Sequence, residues 1–262
     1  MALFQCNFFS KYLAYDTRVN VILPEDRSVL PEAEEPKKTY PVLYLLHGRG
    51  DDCNAWVRNT RIEQLAIQHQ IAVVMPCGED SFYVDSVHGK RYYSYMTKEL
   101  PVLMAHWFPI ASDPEHTFLA GLSMGGYGTL KLGLTEPERY AGIAFFSAAT
   151  DPQQLYNLFD DPMDCEIINE NLDRVFGGLP FPTQHVPIEL LKARIKEGCK
   201  IPPMIQFEGR QDMLYDMNQQ FLQEAKELGQ GIHYEEWDGE HDWTFWDAAI
   251  ERALNLFSIH KN

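Results

Sequence analysis

Residues 118–128 read Phe-Leu-Ala-Gly-Leu-Ser-Met-Gly-Gly-Tyr-Gly. An apolar run enters a Gly121-x-Ser123-x-Gly125 turn, and a glycine-rich segment compatible with a helix leaves it. Such a stretch is a strand that bends sharply into a helix, with the residue at its tip under strain. Small neighbours permit so tight a bend, which is why glycines flank the serine. The implied geometry leaves the Ser123 hydroxyl in the open above a sheet edge, with its backbone at a helix N-terminus. A serine at pH 7 is a weak nucleophile, so the turn carries chemistry only if a base and an orienting acid stand elsewhere in the chain.

Around this turn the pattern alternates buried strands with helices. Residues 18–24 alternate like an early antiparallel strand that stops at Pro24. Residues 25–38, acidic and then basic, read as a surface loop. The continuous apolar run 40–46 is typical of a strand covered on both faces. It delivers His47-Gly48-Arg49-Gly50 at its C-terminal end, where ligand sites of open parallel sheets lie. A helix is predicted over 61–69 and a strand over 71–75. A long loop over 77–95 follows, carrying Phe82, Tyr83, Tyr92, Tyr93 and Tyr95. A helix over 98–108, the strand 118–122, a helix over 124–134 ended by Pro137 and a strand over 141–147 continue the rhythm. Repeats of this kind mean a parallel sheet with helices on both faces. The rhythm breaks at about 150–200, a stretch rich in Asp, Asn, Pro and Phe with no obvious strand. It is too long for an ordinary connection and reads as a cap-like insertion over the site. A strand over 203–209, a helix over 215–228, a strand over 232–237 and an amphipathic helix over 242–257 complete the chain. The 262 residues suit one α/β domain with that insertion embedded in it.

The partners of Ser123 belong after later strands, in the order serine, acid, histidine. Asp212 stands just past the strand 203–209, and His241 stands between the last strand and the last helix. Both emerge at the sheet edge that presents Ser123. Asp216 and Asp242 suit helix capping, and Asp151 is the alternative acid. His233 falls within a strand and His260 at the chain end. His47 sits below the loop it opens and organises that loop by hydrogen bonding. In this arrangement His241 takes the Ser123 proton as the oxygen attacks an ester carbonyl, and Asp212 holds the imidazole. Hydrolysis therefore needs a neutral His241 and falls on acidification. The oxyanion needs preorganised donors: the N–H of Met124, at the helix start, and a second from the His47–Gly50 loop, supplied by the backbone of Arg49. Trp56, Tyr83, Tyr93 and Trp243 are candidates to stack on a sugar or phenolic ring of a substrate.

A formal net charge of −16 repels phosphates and anionic lipid, which argues against nucleic acid and membrane partners. The five cysteines are odd in number and scattered, with no metal-ligand or redox-motif spacing, so they read as reduced thiols of a cytoplasmic protein. No segment reaches the length of a membrane span, and the N-terminus lacks the pattern of a secretion signal.

Taken together, Gly-Leu-Ser123-Met-Gly-Gly-Tyr-Gly, Leu-Leu-His47-Gly48, Phe82-Tyr83-Val84-Asp85, Tyr93-Ser94-Tyr95 before Glu99-Leu100-Pro101, and His241-Asp242-Trp243 resemble the esterase D group. That group includes tributyrin esterases, S-formylglutathione hydrolases, acetyl and feruloyl esterases, and mycolyltransferases. The similarity spans most of the chain and is strongest to the small bacterial tributyrin-esterase branch. It implies an α/β-hydrolase fold, the triad Ser123, Asp212 and His241, and an oxyanion hole from the Arg49 and Met124 amides. It implies no metal and no organic cofactor. The expected activity is hydrolysis of short-chain acyl esters through an acyl-enzyme. Thioester hydrolysis on S-formylglutathione, deacylation of acetylated or feruloylated sugars, and an inactive binding module are the alternatives. The expected partner is a small-molecule ester, and a homo-oligomer is compatible with all of this.

Overall fold

The computed structural model describes residues 1–24 and 39–259. Residues 25–38, expected to form a loop, and His260 lie outside them. Its strands are β1 (Ala2–Ser10), β2 (Tyr15–Leu23), β3 (Val42–Leu46), β4 (Ala72–Pro76), β5 (Thr117–Leu122), β6 (Gly142–Phe146), β7 (Met204–Gly209) and β8 (Ile232–Trp237). They form one sheet in the order β1-β2-β4-β3-β5-β6-β7-β8. β1, β2 and β4 pair antiparallel, and everything from β4 to β8 is parallel. The chain leaves β3 outward to β4, then returns past β3 to β5. The order reverses there, and a crevice opens beyond the C-terminal ends of β3 and β5.

The strands β3 to β7 are buried, save for Thr117 at the start of β5, because helices cover both faces. Side chains alternate between two cores with the strand period of two. Val42, Tyr44 and Leu46 of β3 enter one core, while Leu43 and Leu45 enter the other. The second core is covered by α1 (Ala55–Asn59), α2 (Ile62–His69) and the last helix, through Trp56, Leu65, Trp246, Ile250 and Leu254. On the opposite face, α3 (Tyr92–Ser94) runs through a π turn, Tyr95–Glu99, into α4 (Leu100–Trp107). Then come α5 (Met124–Thr135), α6 (Pro162–Phe176), α7 (Pro187–Lys196) and α8 (Tyr215–Glu227). The last helix is α9 (Trp243–Leu256), capped by the Asp242 carboxylate, which accepts from the Phe245 N–H at 2.9 Å.

The alternation predicted from the sequence is present, with three differences. β1 was not expected. Its Ala-Leu-Phe-Gln-Cys-Asn-Phe-Phe-Ser run has no clean alternation, because it is an edge strand with most side chains at least partly exposed. Glu99 anchors its end, accepting from Ser10 Oγ at 2.6 Å and the Lys11 N–H at 2.8 Å. α1, at five residues, is too short for a periodic signal. The helix expected over 98–108 begins six residues earlier, at Tyr92, because the π turn shifts its apolar face out of register.

The 150–199 segment contains no strand among the described residues, as expected, and folds instead as α6, α7 and short 3-10 turns. The Asn171 side chain donates to the Asp80 carbonyl at 2.8 Å, and the Val87 N–H donates to the Val175 carbonyl at 3.0 Å. Tyr127 Oη on α5 donates to the His185 carbonyl at 3.0 Å. The segment is thus tied both to the aromatic loop and to the helix after Ser123.

Gly121 is the penultimate residue of β5, where a Cβ would lie 2.4 Å from the Gly125 carbonyl oxygen and 2.9 Å from Leu46 Cβ. Backbone must shift to admit a methyl there. Gly121→Ala should cost about 1–3 kcal/mol of stability by overpacking. Gly231→Ala, at a position with open space around it, is the control. Urea unfolding reads the difference, and equal midpoints for the two variants would show that the β5–α5 turn is not tightly packed.

Candidate active site

Ser123 sits between β5 and α5 with φ 52° and ψ −118°, a strained left-handed conformation for a residue with a side chain. Backbone bonds hold it there. Its N–H donates to the Phe146 carbonyl at 2.9 Å, and its own carbonyl accepts from Tyr127 at 3.0 Å and Ala149 at 3.2 Å. The first turn of α5 presses against the end of β3. At Gly125 a Cβ would fall 2.5 Å from the Leu46 carbonyl oxygen and 2.7 Å from that of His47. Glycine alone allows this contact.

His241 Nε2 lies 3.1 Å from Ser123 Oγ. On its other side, Nδ1 lies 2.9 and 3.0 Å from the two Asp212 oxygens. An ionised Asp212 only accepts, so Nδ1 carries the proton and Nε2 is free to accept from the serine hydroxyl. The loops bearing the two residues are joined backbone to backbone. The Gln211 N–H donates to the Gly239 carbonyl at 3.0 Å, and the Gly239 N–H donates to the Gln211 side chain at 2.8 Å. The Asp212 side chain is fully buried, and that of His241 is 23% exposed. Burial alone would push the Asp212 carboxyl up. The hydrogen bond and charge of His241, the Leu214 N–H and the Ser147 hydroxyl outweigh it and hold the group below the usual carboxylate range. The other candidates stand elsewhere. Asp151 caps a 3-10 turn by accepting from the Gln153 N–H, Asp216 lies in the first turn of α8, and His233 pairs with Glu235 on the outer strand.

His47 is buried and its ring is fully used. The Gly78 N–H donates to Nε2 at 2.8 Å, so Nδ1 bears the proton and donates to the Gly48 carbonyl at 2.7 Å. Burial pushes its pKa down and favours this neutral form. The histidine thereby fixes the loop that carries Arg49, as its sequence position suggested. Arg49 and Met124 both line the cavity at Ser123. Their amides have no acceptor among the described residues, and Met124 is the first residue of α5, where helix N–H groups lack partners.

The four aromatic candidates for substrate stacking are placed differently. Trp56 and Tyr83 are buried, at 1% and 0% exposure. Trp56 Nε1 donates to the Leu46 carbonyl at 3.1 Å and Tyr83 Oη to the His47 carbonyl at 3.0 Å. They brace the backbone under the Arg49 loop and offer no face to a ligand. Tyr93 donates to Glu136 and lies under the Lys131 ammonium. Trp243 packs edge-on between Trp56 and Trp246. None of the four lines the cavity, because apolar bulk in these loops fills the space between loop and sheet. The cavity, ≈ 230 Å³, is walled instead by Phe82, Leu155, Phe159, Ile168, Met213 and Leu214. Three of these come from the 150–199 segment. Two further cavities, ≈ 250 and ≈ 680 Å³, open beside Tyr140 at the opposite ends of the strands and touch none of these groups.

Sequence reasoning missed three supporting residues. Trp246 lies edge-on to the His241 ring at 5.0 Å, and its Nε1 donates to Ser147 Oγ at 3.1 Å. Ser147 in turn meets Asp212. Glu208, four residues before Asp212, is fully buried, and neither carboxyl oxygen has a hydrogen-bond partner among the described residues. Burial pushes its pKa far up, and the Asp212 charge adds to this. No sequence signal marks it beyond an acid within an apolar strand. Among the described residues no His, Cys, Asp and Glu cluster is arranged to hold a metal ion, and no helix is long and apolar enough to cross a membrane.

The Esterase family model matches residues 10–257. An acetyl esterase of Caldicellulosiruptor saccharolyticus is 33% identical over 265 residues, covering 98% of each chain. A solved fluorophosphonate-binding serine hydrolase of Staphylococcus aureus superposes with a TM-score of 0.89 at 32% identity, over 98% of both chains. A solved S-formylglutathione hydrolase of the same organism gives 0.84 at 33% identity, again over 98% of both. The chain belongs to the Esterase family. It has the α/β-hydrolase fold and is a serine-type carboxylic ester hydrolase, in line with the resemblance read from its motifs.

Glu208 also has a thermodynamic consequence. Its folded pKa is raised, so its contribution to stability is full below the unfolded value and is lost as pH rises, when the unfolded chain releases a proton that the folded chain keeps. Glu208→Gln removes that loss. Its Tm relative to wild type should rise between about pH 5 and about pH 8. A Tm difference independent of pH would contradict the buried neutral acid.

Proposed function

We propose that this member of the Esterase family hydrolyses short-chain acyl esters, with Ser123 as nucleophile, His241 as general base and acid, and Asp212 as the orienting carboxylate. The observation that carries the reading is the continuous relay from Ser123 Oγ to His241 Nε2 at 3.1 Å and from Nδ1 to Asp212 at 2.9 Å. His241 accepts the hydroxyl proton as Oγ adds to the carbonyl carbon. The amides of Arg49 and Met124 receive the charge that develops on the carbonyl oxygen; loss of one such donor slows catalysis about 100- to 1000-fold. The imidazolium, held by Asp212, then gives its proton to the departing alcohol. Water repeats the sequence on the acyl-enzyme.

The acyl size follows from the cavity. At ≈ 230 Å³ it falls below the roughly 300–1,000 Å³ of clefts for drug-sized ligands. Its walls are apolar side chains, and among the described residues Arg49 is the one cation on its rim. A small hydrocarbon acyl group fits that lining. The 150–200 segment serves as the cap, since Leu155, Phe159 and Ile168 supply one wall.

Purified protein should turn over p-nitrophenyl acetate and butyrate well and long-chain esters poorly. Ser123→Ala should reduce turnover to background. Asp212→Asn should lower kcat about ten-thousandfold, because His241 then loses the partner that fixes its tautomer. Undiminished hydrolysis by Ser123→Ala would sink the assignment, and faster turnover of S-formylglutathione than of any oxygen ester would replace the substrate class.

A further inference from the structure

Cys53 and Cys77 are 24 positions apart in the sequence, yet their Sγ atoms lie 2.9 Å apart. All five cysteines are free thiols, and the fold brings these two together although no sequence spacing marks them. Cys53 lies in the segment after the Arg49 loop, and Cys77 follows the last residue of β4. Both are buried, at 2% and 8% exposure. The Cys53 N–H donates to Cys77 Sγ at 3.4 Å. The backbone of each is pinned. Asn20 Nδ2 donates to the Cys53 carbonyl at 2.9 Å, and the Cys77 N–H donates to the Arg18 carbonyl at 3.0 Å. The Arg18 guanidinium, paired with Asp52 at 3.5 Å, supplies positive charge to both sulfurs. The hydrogen-bonded contact with Cys53 pulls the Cys77 pKa down to about 7, against the effect of burial. The same contact, and then burial, push Cys53 up. Of the two, Cys77 is the sulfur drawn toward the thiolate form and Cys53 the one held toward the thiol. The remaining three cysteines have no such contact: Cys165 meets Asn157 and Asn169, Cys199 meets Glu197, and Cys6 lies in edge strand β1.

We propose that Cys53 and Cys77 form a reversible dithiol–disulfide couple beneath the loop that presents the Arg49 amide, with a hydroperoxide as the oxidant. The Cys77 thiolate attacks one peroxide oxygen; the O–O bond breaks, hydroxide leaves, and Cys77 becomes a sulfenic acid. Cys53 sulfur then attacks Cys77 sulfur, the S–O bond breaks, and the Cys53 proton leaves with the oxygen as water. In total two thiols lose two electrons and two protons, and one hydrogen peroxide becomes two waters. The exposure left to Cys77 admits so small an oxidant and disfavours a bulky disulfide. Closure from 2.9 Å to the disulfide length of about 2.0 Å needs only a small loop movement. The bond would join the two supports of the Arg49 loop. Cys53 follows Arg49 by four residues, and Gly78, next to Cys77, donates to His47 Nε2. The oxidised enzyme should therefore hydrolyse esters more slowly.

The test is brief exposure of the reduced protein to hydrogen peroxide, alkylation of remaining thiols under denaturing conditions, and intact-mass and peptide analysis. The expected product has lost two hydrogen atoms, shows three alkylatable thiols in place of five, and carries a Cys53–Cys77 peptide that dithiothreitol releases. Cys53→Ser and Cys77→Ser should each abolish the cross-link while hydrolysing esters normally when reduced. Five alkylatable thiols after oxidation, or a cross-link through Cys6, Cys165 or Cys199, would overturn the couple. This chemical readout is independent of the ester-hydrolase reading. The activity readout rests on that reading: kcat should fall several-fold on oxidation, recover with dithiothreitol and stay constant in Cys53→Ser. A cross-linked enzyme with unchanged kcat would overturn the link to the Arg49 loop.

Discussion

The site depends first on a backbone contact, the approach of the first turn of α5 to the end of β3 at Gly125. It brings Ser123, the Met124 amide and the Arg49 loop to one cavity on either side of the point where the strand order reverses. The contact is made of carbonyl groups that need partners when buried. Trp56 and Tyr83 supply them, donating to Leu46 and His47 from the two faces of the sheet. His47 then links the same loop to Gly78. Rings that look from the sequence like a substrate platform are therefore the scaffold that holds a strained turn and its neighbouring loop in place.

A second constraint is electrostatic. β7 and the loop after it carry two acids four positions apart, and their surroundings drive them in opposite directions. Asp212 is buried but meets His241, Ser147 and the Leu214 amide, so it stays charged. Glu208 is buried with no partner among the described residues and is held in the neutral form. One negative charge behind His241 stabilises an imidazolium; a second buried one would add a desolvation cost with no hydrogen bond to offset it. The raised pKa of Glu208 spares the strand behind Asp212 that second buried charge.

Much of this was legible in the sequence, for identifiable reasons. Fully buried strands such as 42–46 and 118–122 announce themselves as apolar runs, and the loops after them inherit a common sheet edge. That is why the meeting of Ser123, Asp212 and His241 could be anticipated from order and placement. Edge strand β1 was hidden because half-exposed residues carry no periodic signal. The aromatic loop misled for a related reason: composition shows that rings are present but not which way they face. The contact of Cys53 with Cys77 was invisible because it joins a loop to the end of a neighbouring strand, a proximity set by register and not by spacing. Ser147, Glu208 and Trp246 act through Asp212 and His241, and no motif marks such supporting positions.

In the proposed reaction Ser123 is the residue that forms the covalent bond to substrate. Labelling with a fluorophosphonate followed by peptide mapping tests it most directly. A single adduct is expected on the peptide containing Ser123, lost in Ser123→Ala and strongly slowed in His241→Ala. An adduct on another residue, or labelling that survives in Ser123→Ala, would contradict it.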